Sequence, residues 1–210
     1  MTRSVCIALA FCASFSTGAY AGSYVNPQQP PKTNPLKGIY LGVQLGNSQT
    51  HYGLSGFDTD TGGTENGTVT SSGFGESGLL GYKFNRYFAT EAGYTHYGTT
   101  NASDLTYSDG NQNKSGEITE NSVDLAIKGI WPLAKEVDLY GKIGAAYLWT
   151  HTKITTGYSK NRSTVKPLVA IGADYNISDN FVFDVSYNHI QSNSTIKSAD
   201  LIGVGFYYYF

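Results

Sequence analysis

The chemistry available to this chain gathers in nine charged residues: Glu76, Glu91, Asp124, Lys128, Asp138, Lys142, Lys166, Asp174 and Asp184. Asp124 and Lys128 are an even number of positions apart, as are Asp138 and Lys142, and Lys166 and Asp174. On an extended chain successive side chains point to opposite faces, so each of these pairs shares a face. Lys128 and Lys142 are the central cations of the set and are expected to bridge Glu91, Asp174 and Asp184. An enclosed set of this kind either pairs into a plug, because removing one partner strands the other's charge, or lines a path for ions.

The four histidines are the other reactive groups: His51, His96, His151 and His189. A hydrolytic site needs a base within hydrogen-bond reach of a nucleophile. His189 and Ser192 are three apart, which puts them on opposite faces of a strand; His96 has no serine in its own segment, and His51 and His151 fall in polar stretches. No catalytic residue is assigned, and His96 and His189 are expected at a membrane interface, where an amphipathic ring sits well. Asp58, Asp60, Glu65, Asp104 and Asp109 are loop acids whose spacing specifies no oxygen cage, so a solvated acidic surface is expected and no metal. No phosphate-cradling or cofactor motif is present, and none is expected to bind.

The segments that carry these residues have a period of two. Eight alternating stretches cover 38–48, 73–83, 87–97, 121–131, 137–149, 164–175, 181–191 and 200–210. Each has about the 9–11 residues a tilted strand needs to cross a bilayer. The connections alternate between short turns (84–86, 132–136, 176–180) and long polar loops (49–72, 98–120, 150–163, 192–199), the pattern of an outer-membrane barrel. The apolar face is charge-free apart from Lys83 and Asp200, both at strand ends. The polar face mixes charges with Gly42, Gly46, Gly78, Gly93, Gly144 and Gly172. Large aromatics gather at the ends of the apolar face, with Phe88, Trp131, Tyr175, Phe181 and Tyr208 on the turn side and His96, Tyr147, Trp149 and Tyr187 on the loop side. Two such bands match the interfacial girdles of a membrane barrel, and rings of that size overfill the interior of a soluble eight-stranded barrel. The sequence therefore predicts an all-β fold, an eight-stranded antiparallel up-and-down transmembrane β-barrel over 38–210.

Residues 1–21 have the three parts of a secretory signal: a positive start at Arg3, an apolar run over 5–15, and small residues at Ala19 and Ala21 before the cleavage point. Residues 22–37 carry Pro27, Pro30, Pro31 and Pro35 and are expected as an extended periplasmic leader. Cys6 and Cys12 both lie in the signal, so disulfides and thiolate chemistry are excluded from the exported chain. Lys plus Arg number 14 against 16 Asp plus Glu, which lacks the basic footprint of nucleic-acid binding. Gly205, Tyr208 and Phe210 in the last segment resemble the C-terminal signal read by the bacterial barrel-assembly machinery.

From Gly38 onward the chain resembles the transmembrane domain of outer-membrane protein A and its small eight-stranded relatives. The likeness is carried by Gly38-Ile39-Tyr40-Leu41-Gly42-Val43-Gln44-Leu45-Gly46, by Glu91-Ala92-Gly93-Tyr94, and by Leu125-Ala126-Ile127-Lys128-Gly129-Ile130-Trp131-Pro132 with Val137-Asp138-Leu139-Tyr140-Gly141-Lys142-Ile143-Gly144. Lys166-Pro167-Leu168-Val169-Ala170-Ile171-Gly172-Ala173-Asp174-Tyr175 extends it. The resemblance implies an outer-membrane monomer surrounded by outer-membrane lipid, inserted by the assembly machinery through its last strand. It also implies a part in envelope integrity, adhesion or contact with an extracellular or host ligand. In the family, the positions matching Glu91, Lys128 and Asp174 belong to an interior ion-pair network whose fourth member is an arginine; here that position is Asp184. Larger members carry a peptidoglycan-binding domain after the barrel, which the sequence to Phe210 does not include, so wall tethering is not expected. A non-enzymatic barrel that binds through its loops is the leading functional expectation, with a small ion-conducting pore and a lipid A-modifying enzyme as alternatives. Loops 49–72 and 98–120 are expected to carry recognition, and deletion of 53–69 to spare the barrel.

Overall fold

The computed structural model describes residues 38–58, 63–108, 110, 113–155, 157–191 and 196–210. The export segment with Ala19 and Ala21, the leader, Asp60, Asp109 and Ser192 lie outside the described residues. The strands are β1 (Gly38–Thr50), β2 (Thr64–Thr70), β3 (Ser72–Lys83), β4 (Phe88–Tyr107), β5 (Lys114–Pro132), β6 (Val137–Ile154), β7 (Ser159–Asn176), β8 (Phe181–Ile190) and β9 (Ala199–Tyr209). Every pairing is antiparallel, and β1 joins both β3 and β9, which closes the ring. β2 and β3 both pair with β4, β2 along its outer part, so β2 continues β3 past Ser71 and the barrel has eight strands.

Alternation sets the two faces. Ile39, Leu41, Val43, Leu125, Ile127, Ile143, Val169 and Ile171 point outward and are exposed, while Tyr40, Gln44, Glu91, Lys128, Lys142 and Asp184 point inward and are buried. An apolar exterior around a polar interior is stable only in a hydrocarbon solvent. The turns are fixed locally. Asn85 Oδ1 accepts from the amides of Tyr87 at 2.8 Å and Phe88 at 3.1 Å, and Ser178 Oγ accepts from the Phe181 amide at 3.2 Å, so each short polar side chain satisfies the backbone of its own turn.

The structure departs from the sequence expectation in two places. Most of 98–120 and 150–163, and part of 49–72, are strand rather than loop. β4, β5, β6 and β7 run to 20, 19, 18 and 18 residues, whereas β8 and β9 have 10 and 11. Pairing continues above the bilayer because the alternation does: Ala102, Leu105, Ile118 and Ile154 face inward on a small apolar core that receives Tyr52 and Phe57 from the segment after β1.

The second departure concerns β3, whose faces are reversed. Glu76 and Gly78 point outward, whereas Ser77, Leu79, Gly81 and Lys83 point inward. Leu79 and Leu80 are adjacent and glycines fill much of the remainder, so both faces of this strand read alike in sequence. Glu76 lies level with His96, at the interface where an outward charge costs little. Lys83 turns inward to Asp138, 3.9 Å away.

Two outcomes follow from this packing. Unboiled and boiled samples are expected to migrate differently on a detergent gel, since a closed barrel offers no free edge inside the membrane. Phe57 is fully buried, so Phe57→Ala is expected to cost about 3–5 kcal/mol in equilibrium unfolding. Deleting 53–69 should therefore weaken the folded form, against the expectation drawn from loop composition.

Candidate functional site: a packed lumen under a raised wall

At the turn end the lumen is crossed by tyrosines seated over glycines. Tyr40 is the register partner of Gly81, Tyr140 of Gly172, and Tyr207 of Gly42. A Cβ at any of these three glycines would collide with its partner's ring. The glycine on one strand thus makes room for the phenol that reaches across from the next. Tyr40 stacks on Tyr209 with ring centroids 4.6 Å apart, and the four rings pack with Leu79, Ala89, Ile130 and Val182.

The ion pairs lie against this aromatic layer. Lys128 Nζ is 2.8 Å from Asp174 Oδ2 and 3.6 Å from Glu91 Oε1, and Lys142 Nζ is 2.5 Å from Glu91 Oε2. The Tyr40 hydroxyl donates to Glu91 Oε1 at 2.6 Å. Lys128 Nζ also sits 3.8 Å from the Tyr140 ring centroid, so its remaining side is covered by an aromatic face. Asp184 corrects the expectation that lysines bridge all three acids. No cation pairs with it among the described residues; Gln44 Nε2 donates to Oδ1 and the Tyr140 hydroxyl to Oδ2, each at 2.6 Å. Two neutral donors hold this carboxylate.

The other expected lumen charges separate. Asp138 meets Lys83 and accepts from Asn176 Nδ2 at 3.4 Å. Asp124 borders a cavity of about 20 Å³ with Glu91, Lys142 and Gln44, room for about one water molecule. Among the described residues Lys166 forms no ion pair; its Nζ donates to the carbonyls of Ile196 at 2.7 Å and Lys197 at 2.8 Å, pinning the segment before β9 into the barrel mouth. Glu76 is outside the lumen altogether. Gly205 faces inward where a Cβ would meet Gln44 Cγ at 2.7 Å, while Tyr208 and Phe210 face outward, edge to face at 5.0 Å.

Sequence reasoning missed Tyr40, Gln44, Lys83, Tyr140, Tyr207 and Tyr209. All but Lys83 share parity with assigned lumen residues or glycines of their own strands, Tyr207 and Tyr209 with Gly205. A pattern of inward tyrosine against inward glycine on the neighbouring strand was the available signal.

The outer half of the interior is apolar. Leu148, Leu168, Ile190 and Leu201 pack under Tyr52, Phe57 and Ile196. Glu120 is fully buried there beside Tyr52, and among the described residues its two oxygens and the Tyr52 hydroxyl have no partner of hydrogen-bond geometry. Burial and the neighbouring Glu120 raise the Tyr52 pKa well above the phenol range, so Tyr52 remains a neutral donor. The histidines stay outside. His189 Nδ1 is 2.6 Å and His51 Nε2 3.6 Å from Asp200, which also accepts from the Tyr187 hydroxyl at 2.8 Å. His96 and His151 bond Asn121 and Asn161. Asp58 accepts from the Thr64 amide at 2.8 Å. Among the described residues no three His, Cys, Asp or Glu side chains converge as metal ligands.

Comparison with known proteins agrees with this architecture. A family model described as the OmpA-like transmembrane domain matches residues 35–208. Outer membrane protein A of Serratia marcescens is 29% identical over 194 residues, covering 88% of this chain and 49% of that one. The Escherichia coli O157:H7 protein of the same name is 30% identical over 186 residues, covering 88% and 48%. The chain spans about half the length of the curated relatives it matches. Among solved structures, Neisserial surface protein A superposes with a TM-score of 0.56 at 14% identity, covering 82% of this chain and 97% of that one. The N-terminal β-barrel domain of Pseudomonas aeruginosa OprF gives 0.50 at 13% identity, covering 82% and 98%.

Lys128 carries the lumen prediction. Breaking a buried pair costs about 3–5 kcal/mol because the counter-charge is stranded. Lys128→Ala strands Asp174 outright, whereas Lys142→Ala leaves Glu91 with Lys128 and Tyr40. Urea unfolding in detergent should therefore rank Lys128→Ala below Lys142→Ala, and both below the parent. Equal midpoints would show that the ion pairs do not hold the lumen.

Proposed function

The chain belongs to the family of OmpA-like transmembrane domains, barrels of the bacterial outer membrane, and from that premise we propose that it is a non-enzymatic envelope protein that binds an extracellular protein partner through its raised wall. Export by cleavage after Ala21, insertion through the β9 residues Gly205, Tyr208 and Phe210, and a monomeric state in outer-membrane lipid belong to the same proposal. The packing of the lumen among the described residues favours binding over conduction, and the His189–Asp200 pair has no serine hydroxyl bonded to it among the described residues.

The observation that carries the proposal is an uncovered strand edge above the membrane. In the β6–β7 hairpin the Ile154 amide donates to the Tyr158 carbonyl at 3.0 Å. The register then makes Thr152 and Lys160, Thr150 and Arg162, and Leu148 and Thr164 the rungs that bond to β6. The backbone groups of Ser159, Asn161, Ser163 and Val165 therefore point away from β6. At Pro167 that same side is occupied, because Gln191 N donates to its carbonyl at 3.2 Å. Above this level β8 has ended, and no strand covers β7 among the described residues. A row of amides and carbonyls with no strand against it among the described residues, on an extracellular strand, supports recognition by strand addition, with backbone bonds for affinity and side chains for choice. Self-pairing about the centre of this edge would set Arg162 against Arg162, and like charges directly opposite are unfavourable. A different protein suits the edge better than a second copy.

Proline on this side of β7 removes an outward amide and leaves the β6 ladder whole. Asn161→Pro and Ser163→Pro are expected to keep the gel shift between unboiled and boiled protein and to lose binding of whole cells to host-cell or matrix surfaces. Binding unchanged in both variants, with the parent binding above a deletion strain, would move recognition away from this edge.

A further inference from the structure

Two glycines leave a bare patch on the outside of the barrel near its turn end. Phe88, Gly129, Gly141 and Ile171 form one outward row across β4, β5, β6 and β7, being register partners in turn. The row nearer the turns holds Trp131 opposite Leu139. Between Tyr87 and Phe88 on one flank and Trp131 and Leu139 below lies a groove of about 570 Å³ floored by the two glycines. The barrel does not require glycine there. An added Cβ meets nothing nearer than the Gly141 carbonyl oxygen at 3.9 Å from position 129, or the Ala170 carbonyl oxygen at 3.8 Å from position 141. These differ from Gly42, Gly81 and Gly172 in the lumen, each of which has a tyrosine ring to clear.

The groove has a charged end. Arg86 lies in the β3–β4 turn with its guanidinium 5.2 Å from the centroid of Tyr87, a groove residue. Arg86 forms no ion pair among the described residues. The turn on the other flank carries Lys135 next to Glu136 in sequence, a mixed pair of charges, whereas Arg86 is the cation placed against a groove residue. Short turns mark the periplasmic side of such barrels, so this end faces the headgroups of the inner leaflet.

We propose that this groove is a binding site for an anionic phospholipid of the inner leaflet, one acyl chain lying over Gly129 and Gly141 and the phosphate meeting Arg86. Within hydrocarbon the seating force is close packing rather than escape from water, and a groove walled by rings offers an acyl chain more contact than a flat wall does. Guanidinium and phosphate match in charge and in bidentate geometry. A second barrel suits the site poorly, because Trp131 stands 72% exposed beside the floor and would hold a flat wall off the glycines.

The test uses the full chain refolded in mixed micelles of phosphatidylglycerol and phosphatidylcholine, with native mass spectrometry after detergent release. The parent should retain one phospholipid, with phosphatidylglycerol preferred. Gly141→Leu fills the groove from outside and should lose the adduct, while Arg86→Gln should keep an adduct and lose the preference for phosphatidylglycerol. The gel shift on boiling reports folding, and Gly129→Val is read instead if Gly141→Leu fails that check. Three outcomes overturn the proposal: no adduct on the parent, an adduct undiminished in the filled-groove variants, or a dimer that disappears in them, which would give the groove to a second copy.

Discussion

Inside a hydrocarbon layer each amide and carbonyl must find a partner within the protein, since an unpaired one costs several kcal/mol. For strands this demands a ring, and β1 completes it by pairing with β3 on one side and β9 on the other. The constraint weakens where the bilayer ends. Above that level β8 stops while β7 continues, and among the described residues no strand adjoins the outer part of β7 on that side. The membrane thus separates the part of the fold in which an open edge is forbidden from the part in which one is tolerable.

Closure at eight strands makes the interior narrow, and the contents of the lumen follow from that. A large inward side chain fits only if its neighbour across the sheet is absent, which is why Tyr40, Tyr140 and Tyr207 each face a glycine. The crossing phenols then supply hydroxyl donors to Glu91 and Asp184 and a ring face to Lys128. A carboxylate at position 184 is stable without a cation because Gln44 and Tyr140 occupy both its oxygens, and Gly205 leaves space for Gln44 to reach it.

The barrel was legible because its signal is a period, and seven of the eight strands kept enough contrast between faces to show it. β3 did not: with Leu79 beside Leu80 and glycines around them, its parity rested on Glu76, which sits at the one depth where an outward charge is tolerated. The extended outer parts of β4 to β7 were missed because Thr, Ser, Asn and Gly suit loops as well as strands facing water. Ala102, Leu105, Ile118 and Ile154 kept the alternation going through that composition. Lys128 and Lys142 were identifiable as the bridging cations by position and sign. That Lys166 would clasp two carbonyls, or that Asp184 would take neutral donors, depends on which side chains the ring brings across the lumen, and spacing along one strand carries no such information.

The unequal strand lengths give the molecule a front and a back. β4 continues from His96 at the interface to Tyr107, which at the rise and tilt of such strands lifts its end roughly 25 Å above the headgroups. β8 and β9 end close to that surface. Seen from outside the cell, the described strands therefore form a screen on one side and a low sill on the other, with the outer part of β7 where the two meet. For the protein partner proposed above, that edge would be presented over only one sector of the compass. Rotation of the barrel about the membrane normal would then be part of such an encounter, and anything that restrains that spin would set the fraction of collisions that arrive facing the edge.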